Sequence, residues 1–390
     1  MASEKNHIDR ITLFVVLILM VASTVVVYSA SSTWAMQKMQ SASGLVNKHI
    51  TKILVGLVVM FFAINMDYKR YKPLTKWVLI ASILLLIATR LTGGEVKGAA
   101  RWLSLGGFSL QPSEIAKFAL LFHLSYLLSN KREKLADFQT GFMPLMIWIG
   151  GVVVLVMLQP NFSTGSMIFV LGMILVFVGG ARMKHVLLSL TALIPALLIY
   201  MVSAPYRMKR ILSYVGFGSD ETVTSTANYQ LLQGIIGFGN GGIFGVGMGQ
   251  SKQRDLFLPE SYGDFIFSIV GEEYGLIGTM IFIGLFLMIL LRGLKIAKYA
   301  PDDFGKYLAI GITSTIVLYA VANALVTLGL APTTGVPMPF VSYGGTAIIF
   351  SSFAVGVLLN ISSQTDLHPR ERHIIEQPAV SVEPAVGKIY

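Results

Sequence analysis

Hydrophobic residues in this chain come in long blocks separated by polar intervals. Many blocks approach about 20 residues, the length at which a helix crosses roughly 30 Å of hydrocarbon. They fall at about 11–30, 50–66, 74–91, 113–129, 142–158, 163–180, 184–203, 264–291, 308–330 and 343–362. This pattern predicts an all-α polytopic membrane protein with ten transmembrane helices. Two intervals on one side are long, 92–112 and 204–263. The second, between spans 7 and 8, contains "GIIGFGNGGIFGVGMGQS" (234–251). Glycine at that density suits tight turns and close backbone approach, and the apolar residues between predict a loop that dips into the bilayer surface. A polar segment, 1–10, precedes the membrane domain, 11–362; the polar, proline-containing tail, 363–390, has the composition of a disordered segment.

Composition removes the soluble alternative. The chain is 54% hydrophobic and only 13% charged, and a soluble core does not call for runs of bilayer-spanning length. There is no cysteine, which excludes disulfides, thiolate catalysis and cysteine-based zinc sites. The first apolar block is too long for a signal-peptide core and lacks a cleavage site, so it reads as a retained span. A net charge of +10 invites a nucleic-acid reading, but the basic residues sort by side instead. Ten spans put both termini together, and most of the 30 Lys and Arg residues then lie on that side, on short loops such as 67–73 and 130–141. That bias predicts cytoplasmic termini.

Polar residues inside apolar blocks carry the candidate chemistry, because each costs free energy there. In "FSLQPSEIAKFALL" (108–121), Pro112 and Ser113 read as a helix start. Glu114 and Lys117 follow, three apart on one face. They form either a self-neutralising ion pair or the floor of a polar cavity below the outer surface. On the outer side, "APYRMKRIL" (204–212) places Arg207, Lys209 and Arg210 against the topological bias. They read as a snorkelling anchor or as an anion-binding patch that Arg101 in "GAARWLSLGG" (98–107) joins, since the guanidinium fork matches phosphate oxygens. "LQPNFSTG" (158–165) reads as a tight outer turn. The glycine-rich loop lacks the Gly-Lys-Ser/Thr ending of a P-loop.

The densest acidic cluster is "FLPESYGDFIFSIVGEEYG" (257–275), which places Glu260, Asp264, Glu272 and Glu273 at the head of an apolar block. If a helix begins near Asp264, Glu272 lies about 12 Å deeper and about 80° around the axis, so the two can share one cavity while Glu273 faces away. Asp264 then reads either as a helix cap that complements the dipole or as a general base in a partly desolvated site.

These segments, taken in order, resemble the SEDS family of bacterial cell-wall proteins (FtsW and RodA). The matching motifs include "YSASS" (28–32), "GAARWL" (98–103), "QPSEIAK" (111–117), "LQPNFSTG" (158–165), "PYRMKRI" (205–211), "GFGNGGIFGVGMGQS" (237–251), "FLPESYGDFIFSIVGEEYGLIG" (257–278) and "APTTGVPMPFVSYGGT" (331–346). "GGARMKHV" and "GVGMGQSKQRDLFLPE" look more like the division branch, FtsW, than the elongation branch, RodA. The chain departs from the family pattern at Asn161, where Asp is usual, at Tyr319, where the division branch often has Gln, and at Gly263, where Thr is common.

The resemblance implies a ten-span inverting glycosyltransferase that polymerises lipid II, a disaccharide-pentapeptide on undecaprenyl pyrophosphate, outside the cytoplasmic membrane. It implies Asp264 as the catalytic carboxylate. Arg101, Lys117, Arg207 and Arg210 then become candidates for holding pyrophosphate charge, with Glu114, Glu272 and Ser342 lining the substrate site. It allows a divalent cation, Mg²⁺ or Mn²⁺, although no all-protein cage is visible. The implied partners are a class B penicillin-binding protein, which is a transpeptidase, and other division proteins. A lipid II flippase is the rival reading, since polar spans and a cavity also suit transport; only an enzyme polymerises lipid II in detergent. A pure scaffold gives no reason to bury Lys117 and Glu272, and no ring of charges suggests an ion channel.

Overall fold

Inside a bilayer no water satisfies backbone N–H and C=O groups, so long apolar blocks cross it as helices. The computed structural model describes residues 7–92, 102–105, 108–131, 134–202, 226–254, 258 and 261–365, and these are almost wholly helical. In chain order the helices are α1 (Arg10–Met39), α2 (Gly44–Asn65), α3 (Thr75–Thr92), α4 (Pro112–Lys131), α5 (Met143–Leu158), α6 (Phe162–Val178), α7 (Met183–Val202), α8 (Thr226–Gly241), α9 (Ile266–Lys298), α10 (Asp303–Thr327) and α11 (Gly345–Ser363). A short antiparallel hairpin, β1 (Leu103–Leu105) with β2 (Phe108–Leu110), leads into α4. Each expected span falls on a helix. Among the described residues, seven helical stretches meet the length and hydropathy of a membrane span. α6 has only 17 residues, and α4 carries Glu114, Lys117 and His123 within its length.

The two ends of the membrane domain meet on one face. The Asp9 N–H donates to Ser362 Oγ (2.9 Å), and the buried Asp9 carboxylate accepts from Arg292 Nε (3.1 Å) and Nη2. From Ile266 to Arg292, α9 rises at most about 39 Å, the scale of a bilayer, so its Asp264 end lies on the opposite face.

α8 is the helix that periodicity did not predict, because it lies within the glycine-rich loop. Its role follows from a break in α9 at Gly275 (φ 63°, ψ −159°). The break frees backbone groups that a continuous helix would pair, and the chain after α8 takes them up. Val246 and Gly247 N–H donate to the carbonyls of Glu272 (2.9 Å) and Glu273 (3.1 Å); Leu276 and Ile277 N–H donate to those of Gly242 (2.9 Å) and Ile243 (3.2 Å). Such backbone-to-backbone contact leaves no space for a Cβ at Gly245, whose φ of 83° also favours glycine. On the far side of the loop Ile243, Phe244 and Met248 point outward, with Phe244 80% exposed. That exposure matches the apolar loop surface expected to meet lipid.

Candidate active site

Asp264 precedes α9 rather than starting it. The helix begins at Ile266, with Phe265 rather than Asp264 at the N-cap position. The residue is part-exposed, and its carboxylate lies beside Gly335: a Cβ built there would lie 3.4 Å from Asp264 Oδ2. Gly335 has φ 68°, a conformation open to glycine at little cost. From α10, Asn323 Nδ2 donates both to the Asp264 carbonyl (2.7 Å) and to the Val336 carbonyl (2.8 Å). A single amide thus joins the catalytic candidate to the loop before α11.

That loop also forms the wall of a cavity. Met338 N–H donates to Ser342 Oγ (2.8 Å), and Ser342 N–H returns to the Met338 carbonyl (3.0 Å), which closes a tight turn. Within it Phe340 sits at φ 61°, a strained position for a non-glycine residue, held by full burial of its ring. Pro337 to Phe340 and Ser342 line a small cavity of about 20 Å³ together with Glu114, Lys117, Tyr319 and Ser351. Lys117 Nζ lies 2.7 Å from Glu114 Oε2, with both side chains at 5% exposure or less. The ammonium also lies 4.1 Å from the Tyr319 ring centroid, a cation–π distance. The structure therefore contains the local ion pair, and that pair borders a small cavity.

The structure brings Glu114, Lys117 and Ser342 together, and Asn323 ties Asp264 to the start of the same loop. Glu272 does not join them, and the shared Asp264–Glu272 cavity is not seen. Its carboxylate accepts from Ser251 Oγ, from Gln253 N–H (3.2 Å) and from Asn240 Nδ2 (3.2 Å), and so holds the glycine-rich loop. Residues 264 and 265 are not helical, so the azimuth expected from a helix starting at Asp264 does not apply, and the Glu272 turn packs against the 240–253 segment instead. Glu273 accepts from Ser29 Oγ of α1 and from Gly249 N–H (3.0 Å), bonds that tie α9 to α1 and to the glycine-rich loop. Arg101, Arg207, Arg210 and Glu260 lie outside the described residues, as does the tail from 366. Asn161 flanks α6 without a side-chain cap, in the turn expected at 158–165.

Sequence reasoning missed Asn323 and Gly335 as positioning residues. A buried amide in an apolar helix was the available signal for Asn323, since such a group must find partners. Gly335 gave none apart from its place in a glycine- and proline-rich loop. No cluster of three His, Asp or Glu side chains exists among the described residues. A Mg²⁺ ion, which keeps waters and takes only one or two carboxylates, does not require such a cluster.

Fold and site define a polytopic helical membrane protein with a carboxylate and a buried ion pair joined by one loop, on the face opposite its paired ends. The chain belongs to the FtsW/RodA/SpoVE family of cell cycle proteins, the SEDS family, which matches residues 9–367. It is 37% identical over 363 residues to the probable peptidoglycan glycosyltransferase FtsW of Geobacter metallireducens, covering 93% of this chain and 96% of that protein. It is 36% identical over 365 residues to stage V sporulation protein E of Bacillus subtilis, covering 93% and 99%. The fold is similar to that of Thermus thermophilus RodA (TM-score 0.67, 24% identity, 92% of this chain and 98% of that one). A chain from a peptidoglycan synthase complex that coordinates polymerization and crosslinking is also similar (TM-score 0.74, 24% identity, 91% and 97%).

Proposed function

We propose that this protein is an FtsW-type peptidoglycan glycosyltransferase that polymerises lipid II for septal wall synthesis on the outer face of the cytoplasmic membrane. The observation that carries the reading is the coupling of Asp264, through Asn323 and Gly335, to the loop that walls the Lys117 cavity. The relatives' names support the same activity. No ATP is present outside the membrane, so a polymer made there needs a donor carrying its own leaving group. A lipid-linked pyrophosphate supplies one at membrane depth.

In the mechanism, the Asp264 carboxylate takes the proton from the acceptor sugar's hydroxyl. The oxygen forms a bond to the donor's anomeric carbon, and the bond from that carbon to the pyrophosphate oxygen breaks, its electron pair leaving with the lipid pyrophosphate. Attack opposite the leaving group inverts the anomeric centre and needs one base, not the carboxylate pair of a glycosidase. Lys117 offers charge for the leaving group, and Arg101, Arg207 and Arg210 are further candidates. A bound Mg²⁺ or Mn²⁺ would supply charge neutralisation at the phosphates. A class B penicillin-binding protein is the proposed partner, consistent with the similarity to a chain from a synthase complex. The positive-inside bias supports cytoplasmic termini.

Purified protein in detergent should convert lipid II into glycan strands, while Asp264→Asn should bind lipid II and make none. Polymer at the parental rate from Asp264→Asn removes the base assignment. Failure of the parent to polymerise, with lipid II translocation in vesicles, establishes the flippase reading instead.

A further inference from the structure

A second basic side chain approaches the 342–345 turn from the side opposite Lys117. Lys52 projects from α2, and its Nζ lies 3.9 Å from the Tyr343 ring centroid. The same ammonium lies 3.5 Å from where a Cβ on Gly345 would be. Around the turn the contacts alternate: Ser342 and Gly344 face the Lys117 cavity, whereas Tyr343 and Gly345 face Lys52.

Lys52 is not an ordinary snorkelling lysine. It lies about 12 Å along α2 from its first residue, yet it turns inward over an aromatic ring and is only part-exposed. None of the ion pairs among the described residues includes it. Lys117, by contrast, shares its charge with Glu114 at 2.7 Å. The ring beneath Lys52 is itself fixed. Tyr343 N–H donates to the Tyr262 carbonyl (2.9 Å), and the Tyr262 ring packs against both Tyr343 (5.8 Å) and Trp34 (5.4 Å). Tyr262 stands two residues before Asp264. Trp34, Tyr262, Tyr343 and Lys52 are all part-exposed, so this wall is open to a ligand.

Resting on the polymerase reading, we propose that Lys52, held over Tyr343 and flanked by Tyr262 and Trp34, forms a second subsite for a phosphate-bearing, lipid-linked saccharide. A polymerase that joins two lipid-linked sugars must hold two anionic headgroups at once. One cation at the cavity and one over Tyr343, against alternate residues of a single turn, supply two such positions. The ring preorganises the ammonium, and the absence of a carboxylate partner leaves its charge for the ligand.

The test measures lipid II binding to the Asp264→Asn protein, with and without Lys52→Met, beside steady-state polymerisation by Lys52→Met, Lys52→Arg and Lys38→Ala in the parent. Lys38 is an exposed lysine at the end of α1 and serves as the surface-charge control. Two binding sites are expected in Asp264→Asn, and Lys52→Met should remove or weaken one by about tenfold or more. The KM for lipid II should rise by a comparable factor while kcat changes less; Lys52→Arg should restore most of it, and Lys38→Ala should change neither. Inorganic pyrophosphate protecting the site would assign it to the phosphate portion, whereas protection by lipid II alone would require the sugar as well.

One binding site in both proteins, or unchanged binding and KM in a Lys52→Met protein that melts like the parent, overturns the subsite. If Lys52→Met misfolds, an unchanged site count in Lys52→Gln decides against it in the same way. A parent that binds two lipid II molecules but makes no polymer overturns the polymerase reading while the subsite stands.

Discussion

Asn323 reaches from α10 to the main-chain oxygen of Asp264 at 2.7 Å, and the same nitrogen holds Val336 at 2.8 Å. It does not touch the carboxylate, so its influence on chemistry is through position. Asn323→Leu removes both bonds and strands two carbonyls at the junction. Breaking buried hydrogen bonds of this kind costs about 1–3 kcal/mol of stability. The larger expected effect is on kcat, because the proposed base and the cavity wall no longer move as one body. Asn323→Asp should also impair activity, since a carboxylate cannot donate to these carbonyls. Parental kcat in a folded Asn323→Leu protein would show that this link does not position Asp264.

The Lys117–Glu114 pair separates stability from function. Removing one partner leaves an uncompensated charge where both side chains are almost fully buried, and single variants such as Lys117→Met should lose about 3–5 kcal/mol. Replacing both, as in Glu114→Gln with Lys117→Met, removes the charges together and should recover much of the loss. Thermal melts in detergent would show the recovery. Activity should stay low in the double variant, because the cavity has lost its cation. If activity returns with stability, the pair serves only the fold.

Gly275 tests the junction between α9 and the glycine-rich loop. A Cβ there would lie 2.6 Å from the Ile243 carbonyl, and the residue has φ 63°. Gly275→Ala should therefore displace the 242–247 segment rather than be absorbed. The expected signature is local: faster proteolysis within 240–254, a lower melting temperature and reduced polymerisation. Glu272→Gln should produce a milder version, because the amide keeps an acceptor oxygen for Ser251 but loses its charge.

Long apolar blocks made the helices legible in the sequence, since the bilayer leaves the backbone few alternatives. Glu114 and Lys117 were legible as a pair because three residues place them on one helical face. Glu272 was misplaced because a helix assumed to start at Asp264 gives the wrong azimuth once the helix starts at Ile266. Asn323, Gly335 and Lys52 were not read because their roles depend on contacts between segments far apart in the chain. Gly275 was invisible for a related reason: its break is matched by a loop some 30 residues earlier, and one helix's periodicity does not report its partner.

The face opposite the site carries a pH-sensitive lock. Asp9 is buried, which by itself raises a carboxyl's proton affinity, but its bonds to Arg292 and Thr12 outweigh burial and hold it below the ordinary value of 3.8. Asp302 behaves alike: burial is opposed by Lys72 (2.7 Å), Gly305 N–H (2.8 Å) and the Tyr68 hydroxyl (2.8 Å), and the net direction is down. A carboxyl whose folded value is depressed favours folding fully above its unfolded value, and that contribution disappears as pH falls through the folded value. Stability should therefore hold from neutral pH down to about 4 and decline below it. Asp9→Asn should lower the melting temperature at pH 7, where Arg292 loses its charged partner, and should flatten the decline below pH 4. A variant that melts like the parent at pH 7 and falls as steeply in acid would show that the Asp9–Arg292 contact does not hold α1 to α9.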